Sequence, residues 1–578
     1  LFRVNKWDKT ITLRHWETPD REVEQSEGRF VMSRIVIETS SWGESPLTFN
    51  WCFMARSFTE PANERMQMNE DANSSCALPH YTDSWATTQW RKVIQSVSRL
   101  QRRIAKAVKE KRWGKAKALM HLLSKSFFAK LLAVLRVTTN KGGKTPGVDK
   151  VVWLTPDLKL QAAKSLNVRG YCPKPLRRIY IPKKNGKKRP LSIPTMHDRA
   201  MQTLFKIALD PWAETMADRN SYGFRNRRSC NDAIAQCFLA LCRKNSAQWI
   251  FEADIKACFD NIRHDWILKH IPINKTILRK WLKAGYIEKN RLFLTEKGTP
   301  QGGTISPLVM NMVLDGLEKL LDEHFPGRKG LKVNFIRYAD DFVITATNKE
   351  IITKKIIPLV ENFLLERGLQ LSPEKSKITH INDGFDFLSQ NVRKYKGKLV
   401  IRPSKSSVQS FSDKFTDMIR KYRGIPAHAL IRILNPVIRG WSNYHKGICA
   451  KRTFAKVGNF IWEQLKRWAK YQHGNKNRWW IFHRYFRDLH FSDRCISKKG
   501  TVVHRLYRIK YVPIRYHVKI KGDANPFLPE YDKYFANRTK RREMVAKECR
   551  QMTTFIVNDN KSGNNSRGSL HREGLKSA

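Results

Sequence analysis

Two adjacent acids set between apolar runs constrain this chain more than any other feature. Phe335 to Ala346 reads FIRYADDFVITA, two short segments rich in β-branched and aromatic residues around Asp340 and Asp341. The pattern predicts a β-hairpin with carboxylates at its tip. Neighbouring like charges raise each other's pKa, so a fold places two acids on an apolar hairpin chiefly where something cationic binds. Magnesium takes oxygen ligands and is commonly held by one or two carboxylates together with substrate phosphates, so a third acid is expected from elsewhere. The candidate is Asp254, which closes the strand-like run Trp249 to Asp254 (WIFEAD) and is followed by Phe259 and a helix opening near Asp260. A surface turn is the plainer reading of Tyr338 to Asp341, because Asp-rich turns are common. The flanking segments decide between the two.

The chain has 578 residues, enough for several domains, and its 41% hydrophobic content with 17 Trp and 29 Phe supplies real cores. Lys and Arg number 109 against 51 Asp and Glu, a formal net charge of +58. Solubility alone does not explain such an excess; a polyanion partner does. Basic residues interleave with aromatics from end to end, which suits a groove along a phosphate backbone better than a membrane-surface helix. Ten cysteines make no CxxC pair and read as reduced thiols of an intracellular protein. No apolar run reaches the roughly 18 to 20 residues of a membrane span. The start shows no signal-peptide pattern and is too acidic for a transit peptide.

Along the chain, residues 1 to 84 are polar and without clear period, and no domain is assigned there. From Trp85, Val93, Ile94, Val97, Leu100, Ile104 and Val108 recur at helix spacing with Arg102, Arg103 and Lys106 between them, a basic amphipathic helix whose outer face is free to meet RNA. A second helix is expected over Trp113 to Leu135, ending before the loop Thr138 to Asp149 (TTNKGGKTPGVD). Arg177 to Pro194 (RRIYIPKKNGKKRPLSIP) reads as a hairpin turning at Asn185-Gly186. Its Lys183 and Arg189 suit a triphosphate, although lysines also guard an ordinary solvated edge. After the acid hairpin comes a helix from Glu350 to Arg367, then strand-like segments, and from about Pro403 a helical, basic, tryptophan-rich part with a polar tail.

In this order, TPGVD, RRIYIPK, SYGFR, EADIKACFDNI, GTPQGGTISP, YADD, LSPEKSKI and GFDFL resemble the fingers and palm blocks of group II intron-encoded reverse transcriptases and maturases. LNPVIRGWSNYHK resembles their thumb, domain X, and ANPFLPEYDKYF the segment that in bacterial members leads to an HNH nuclease. The resemblance implies an α+β right-hand polymerase with fingers, palm and helical thumb and a helical basic C-terminal extension. It implies an RNA-binding fingers extension over 85–153, fingers and palm over 154–400, thumb over 401–473, a DNA-binding region over 474–535 and a nuclease remnant or disordered tail over 536–578. Residue by residue, Asp254, Asp340 and Asp341, with the carbonyl of Ile255, would hold two Mg2+ ions. Lys183 and Arg189 would grip the triphosphate, Gln301 and Gly302 would contact the incoming nucleotide, and Phe259 would exclude a ribose 2′-hydroxyl. Arg102, Arg103, Lys106, Arg439, Trp441 and Tyr444 would contact nucleic acid. The implied partners are group II intron RNA, target DNA and dNTPs, with no membrane, in a mitochondrion, chloroplast or bacterial cytoplasm.

Two departures stand out. Asn226-Arg227 follows SYGFR where Pro-Gly or Arg-Gly is usual, and GFDFLSQ replaces GFDFLGW. After Phe535 only Cys549 and His571 remain as zinc-type ligands, so an HNH domain is expected to be lost or truncated. The implied activities are splicing, reverse splicing and copying of RNA into DNA during intron mobility. A maturase that only binds RNA is the alternative, and the three retained acids speak against it. A viral RNA-dependent RNA polymerase is disfavoured by YADD and by the domain X stretch.

Overall fold

The computed structural model describes residues 84–182, 186, 188–326, 330–486, 490–497, 500–541 and 543–544, with three short strands at 2–5, 10–13 and 37–38. The chain divides into two units, 1–523 and 524–578.

In the first unit, the basic amphipathic helix runs over Trp90–Lys109 and buries Val93, Ile94, Val97, Ile104 and Val108. Arg102, Arg103 and Lys106 stay exposed, as its period requires. The helix expected over Trp113 to Leu135 is two, Trp113–Lys125 and Phe127–Thr139, set at 68°. Ser126 between them is extended (ψ 127°), and the bend lets both apolar faces pack on the helix Met196–Met216. Among the described residues no single helix is long and apolar enough to cross a membrane.

The central sheet is antiparallel, in the order Lys377–His380, Trp249–Ala253, Asp341–Ala346, Asn334–Tyr338. Ile250, Phe251, Phe335, Ile336, Val343 and Ile344 are each at most 2% exposed. Both faces are covered, which is why these strands read as continuous apolar runs. Burial of each such side chain contributes about 1.5 to 3 kcal/mol.

A second sheet holds Lys188–Ile193, Leu176–Pro182, Tyr286–Glu288 and Arg291–Phe293 in that order. The turn expected at Asn185-Gly186 lies largely outside the described residues. The last paired residues are Pro182 and Lys188, and Pro182 has no N–H to extend the ladder. Of the connection only Gly186 is described, so Lys183 lies outside the described residues.

Beyond the central sheet, a three-stranded sheet over 385–403 leads to helices Lys405–Lys421, Ala427–His445, Lys451–Gln472 and Arg478–Tyr485. The expected helical extension is interrupted there and helix resumes only over 532–541. Ser492–Ser497 and Gly500–Arg505 pair as a hairpin, consistent with the β-branched run at Thr501 to Val503. Residues 515–522 then form an irregular strap back across the molecule. Arg515 N–H donates to the Lys446 carbonyl at 2.8 Å, and the buried Asp232 carboxylate meets His517 Nε2 and Ile520 N–H, both at 2.8 Å. Arg228 donates to the Gly522 carbonyl at 2.7 Å. These four hydrogen bonds tie the strap to the rest of the first unit.

In the second unit a 3-10 turn at Pro529–Tyr531 precedes Tyr534 and Phe535, whose rings lie 5.2 Å apart. Cys549, His571 and the tail lie outside the described residues.

Candidate active site

The acid hairpin closes in two residues, Ala339 and Asp340, between strands Asn334–Tyr338 and Asp341–Ala346. Asp341 pairs with Tyr338 and Phe342 with Ala253, so one step further along that register sets Asp254, just past its strand, opposite Asp341. Ala339 sits at φ +61°, a left-handed conformation that costs an L-residue about 1 kcal/mol. What holds the turn is the SYGFR segment. Tyr222 N–H donates to the Arg337 carbonyl and Arg337 N–H to the Asn220 carbonyl, both at 2.9 Å. Gly223 lies so close that an added Cβ would stand 2.3 Å from Ala339 N. Under the turn, the fully buried Arg337 pairs with Asp315 and reaches Asn311 Oδ1 at 3.3 Å and the Ala339 carbonyl at 3.4 Å. Asn311 in turn donates to the Gly223 carbonyl at 2.8 Å.

Crowding shows in the acids' protonation. Burial, then the charge of Asp254, raises Asp340, and Arg189 opposes the shift. Burial, the charges of Asp340 and Asp254, and a hydrogen bond with Asp254 push Asp341 up to about 7. As a whole residue Asp341 remains exposed, while its carboxyl group lies in the crowded environment that raises its pKa. Among the described residues the positive charge in contact with Asp254 is the Lys375 ammonium, from the LSPEKS segment. That segment lies against Asp254: Ser372 N–H donates to the Asp254 carbonyl at 2.8 Å, and Lys256 N–H to the Gln370 carbonyl at 2.9 Å. Ile255, opposite Leu371, is bracketed by those two bonds, and its own carbonyl takes no part in them.

These donors fit a hard divalent cation: three carboxylates on adjoining strand ends, mutually repelling, with a lysine supplying the compensating charge. The fit rests on donor chemistry, because among the described residues no group of three or more His, Cys, Asp or Glu is placed so that it could hold a metal ion.

The basic hairpin meets the acids through Gln301. Arg189 Nε–H donates to Gln301 Oε1 at 3.1 Å, and Gln301 Nε2 lies 3.2 and 3.0 Å from the Asp260 carboxylate oxygens. Ser192 N–H donates to the Gln301 carbonyl at 2.7 Å. Gly302, at φ +126°, packs where an added Cβ would stand 2.3 Å from the Ser192 carbonyl oxygen, so its contribution is backbone closeness. Phe259 is half-buried against the core on the short helix Cys258–Asn261, and its carbonyl accepts Thr299 N–H at 2.6 Å. The structure thus brings together Asp254, Asp340 and Asp341, with Arg189 acting on Asp340, and ties Gln301, Gly302 and Phe259 to the same loops. Sequence reasoning missed Lys375, Asp260 and the Gly223–Arg337 support. Position gave a weak signal for Asp260, six residues after Asp254, and charge gave one for Lys375.

Comparison with known families bears on the same segments. Residues 181–392 match the reverse transcriptase (RNA-dependent DNA polymerase) model, 85–166 the N-terminal domain of reverse transcriptase, and 408–486 the group II intron maturase-specific domain. The chain belongs to the group II intron reverse transcriptase and maturase family. Protein YkfC of Escherichia coli (strain K12) is 30% identical over 376 residues, 57% of this chain and 97% of that protein. Group II intron-encoded protein LtrA of Lactococcus lactis subsp. cremoris is 28% identical over 54% of this chain and 68% of its own length. An uncharacterized 91 kDa protein in the cob intron of Schizosaccharomyces pombe is 26% identical over 59% and 52%. A telomerase structure from Candida albicans overlays at a TM-score of 0.29 with 12% identity over 54% of this chain and 64% of that one, too loose a likeness to bear on the site.

Within the maturase-specific part of this family member, two expectations need correction. Trp441 and Tyr444, expected to contact nucleic acid, are 2% and 6% exposed. On the helix Ala427–His445 the apolar stripe that carries them faces inward. Trp441 packs 5.0 Å from the Phe411 ring and 5.9 Å from Phe454, and Tyr444 donates its hydroxyl to the Leu388 carbonyl at 2.7 Å. Arg439 is half-buried with its guanidinium 5.1 Å from the Tyr507 ring.

Both departures from the family pattern fall on left-handed residues. Arg227 has φ +63° and Ser389 φ +62°. Where glycine is usual, this chain keeps the loop shape with a side-chain-bearing residue.

Proposed function

We propose that this chain copies RNA into DNA and also serves as a maturase for its group II intron RNA, assisting splicing, reverse splicing and intron mobility into target DNA. The observation that carries the polymerase half is the convergence of Asp254, Asp340 and Asp341 on adjoining strand ends. Asp254, Asp340, Asp341 and the Ile255 carbonyl would hold Mg2+. Magnesium bound there would activate a primer 3′-hydroxyl and steady the leaving pyrophosphate. Arg189, with Lys183, would meet the triphosphate of a dNTP, Gln301 and Gly302 would border the nucleotide, and Phe259 would exclude a 2′-hydroxyl. Lys375 neutralises Asp254 when no substrate is bound. The exposed Arg102, Arg103 and Lys106 would face the RNA.

The acids and the RNA surface lie in separate parts of the sequence, so the two activities should separate. Asp340→Ala should lower primer extension on an RNA template by several orders of magnitude while leaving intron RNA binding and splicing assistance intact. Extension near the wild-type rate by the folded variant would reject the polymerase reading. A surface with net charge +58 should also bind RNA with a steep salt dependence.

A further inference from the structure

A glutamine amide has a donor end and an acceptor end, and its neighbours decide which way it faces. Gln301 lies between a carboxylate that can only accept and a guanidinium that can only donate. Its Nε2 stands 3.2 and 3.0 Å from the Asp260 oxygens, and its Oε1 takes the Arg189 Nε–H at 3.1 Å. The main chain around it is pinned separately. Ser192 N–H holds the Gln301 carbonyl at 2.7 Å, and Thr299 N–H holds the Phe259 carbonyl at 2.6 Å. The backbone therefore places Gln301 without Asp260. The carboxylate bears on the orientation of the amide, and through it on Arg189, whose charge reaches Asp340.

We propose that Asp260 is a positioning residue for the incoming deoxynucleotide. By holding the Gln301 amide with its oxygen toward Arg189, it fixes one guanidinium N–H and leaves the others for the triphosphate. Asp260 acts through Gln301 and Arg189 and touches no substrate. This rests on the polymerase reading above.

The near-isosteric change is the informative one. Asp260→Asn keeps the size and one acceptor oxygen but removes the second acceptor and the charge, and it can turn its own N–H2 toward Gln301, which lets the Gln301 amide turn over and set N–H against N–H at Arg189. Asp260→Ala only removes the acceptor. A side chain that merely filled space would be replaced by Asn without loss; here Asn should weaken nucleotide binding, and Ala, which removes every acceptor, should weaken it at least as much. Adding Gln301→Glu to Asp260→Asn restores donor against acceptor at both ends of the relay, so the two changes should compensate each other.

The test uses the full chain on an RNA template with a DNA primer. Equilibrium binding of a fluorescent dATP analogue to that complex is read alongside KM and kcat for single-nucleotide extension. In each single Asp260 variant the nucleotide Kd and KM should rise about five- to tenfold, the scale of one hydrogen bond. The kcat at saturating nucleotide and the primer–template Kd should stay within about twofold, and the double variant should lie closer to wild type than either single change. An unchanged nucleotide Kd in Asp260→Asn, independent effects in the double variant, or a fall in kcat that follows a fall in Tm would each overturn the proposal. A wild-type chain that binds nucleotide without extending the primer would reject the polymerase reading yet still test Asp260 through Kd. One that binds no nucleotide overturns both.

Discussion

A single methyl group at position 223 should reach the candidate acids Asp340 and Asp341 through the backbone. A Cβ there would stand 2.3 Å from Ala339 N and 3.0 Å from Ala339 Cα and Cβ, where ordinary contact begins at 3.4 Å. The shortfall is about 1.1 Å, and the atoms met are main chain, which cannot swing aside as a side-chain end can. The SYGFR side is tied down by Tyr222 N–H on the Arg337 carbonyl at 2.9 Å and by Asn311 on the Gly223 carbonyl at 2.8 Å. The turn must therefore yield, and Asp340 moves with it. Misplacement of reacting groups by about 1 Å can cost on the order of 100-fold in rate, and overpacking costs about 1 to 3 kcal/mol in stability. Gly223→Ala should lower saturated primer extension by about that factor, with a modest fall in Tm and unchanged RNA affinity. Gly424→Ala is the control, since a Cβ there meets nothing within 4 Å. Single-nucleotide extension, thermal melting by circular dichroism and RNA titration are the assays. Wild-type extension by a Gly223→Ala protein with an unchanged Tm would refute the claim that this contact sets the acid turn.

Phe259→Ala should raise ribonucleotide use relative to deoxyribonucleotide use while the protein still melts cooperatively; an unchanged ratio places the sugar gate elsewhere. Burial pushes Asp315 up to about 7, with Arg337 opposing and the charge of Asp218 adding to the shift. A carboxyl whose pKa is higher in the fold than in the unfolded chain keeps its proton longer when folded, so its contribution to stability is lost as pH rises from about 4 to about 7 and is level above that. Asp315→Asn should flatten that slope in thermal melts across the range, whatever its effect on absolute Tm, and an identical slope would count against it. Ser389→Gly should stabilise the protein by about 1 kcal/mol, because φ +62° strains serine and not glycine. Urea unfolding measures this, and a loss of stability would show that the serine side chain matters more than its backbone.

Much of this protein was legible before folding because its signals are local. An apolar run interrupted by two acids makes a hairpin wherever it occurs, and WIFEAD makes a strand ending in an acid. Period alone turned Arg102, Arg103 and Lys106 outward and Val97 and Ile104 inward. Family likeness, with no period applied to the stretch, misplaced Trp441 and Tyr444. Large aromatics on an amphipathic helix bury when a partner face exists, and that face, with Phe411 and Phe454, is remote in sequence. The break at Ser126 and the strap at 515–522 likewise depend on what packs against them. Only tertiary structure could decide which distant groups meet. Lys375 on Asp254 is separated by 121 residues, Arg189 on Gln301 by 112, and Asn311 on Gly223 by 88. Residue type states what each of these groups can donate, accept or neutralise. Which one it finds is set by strand register and loop closure, because a hydrogen bond or ion pair acts over a few ångströms and sequence separation carries no distance.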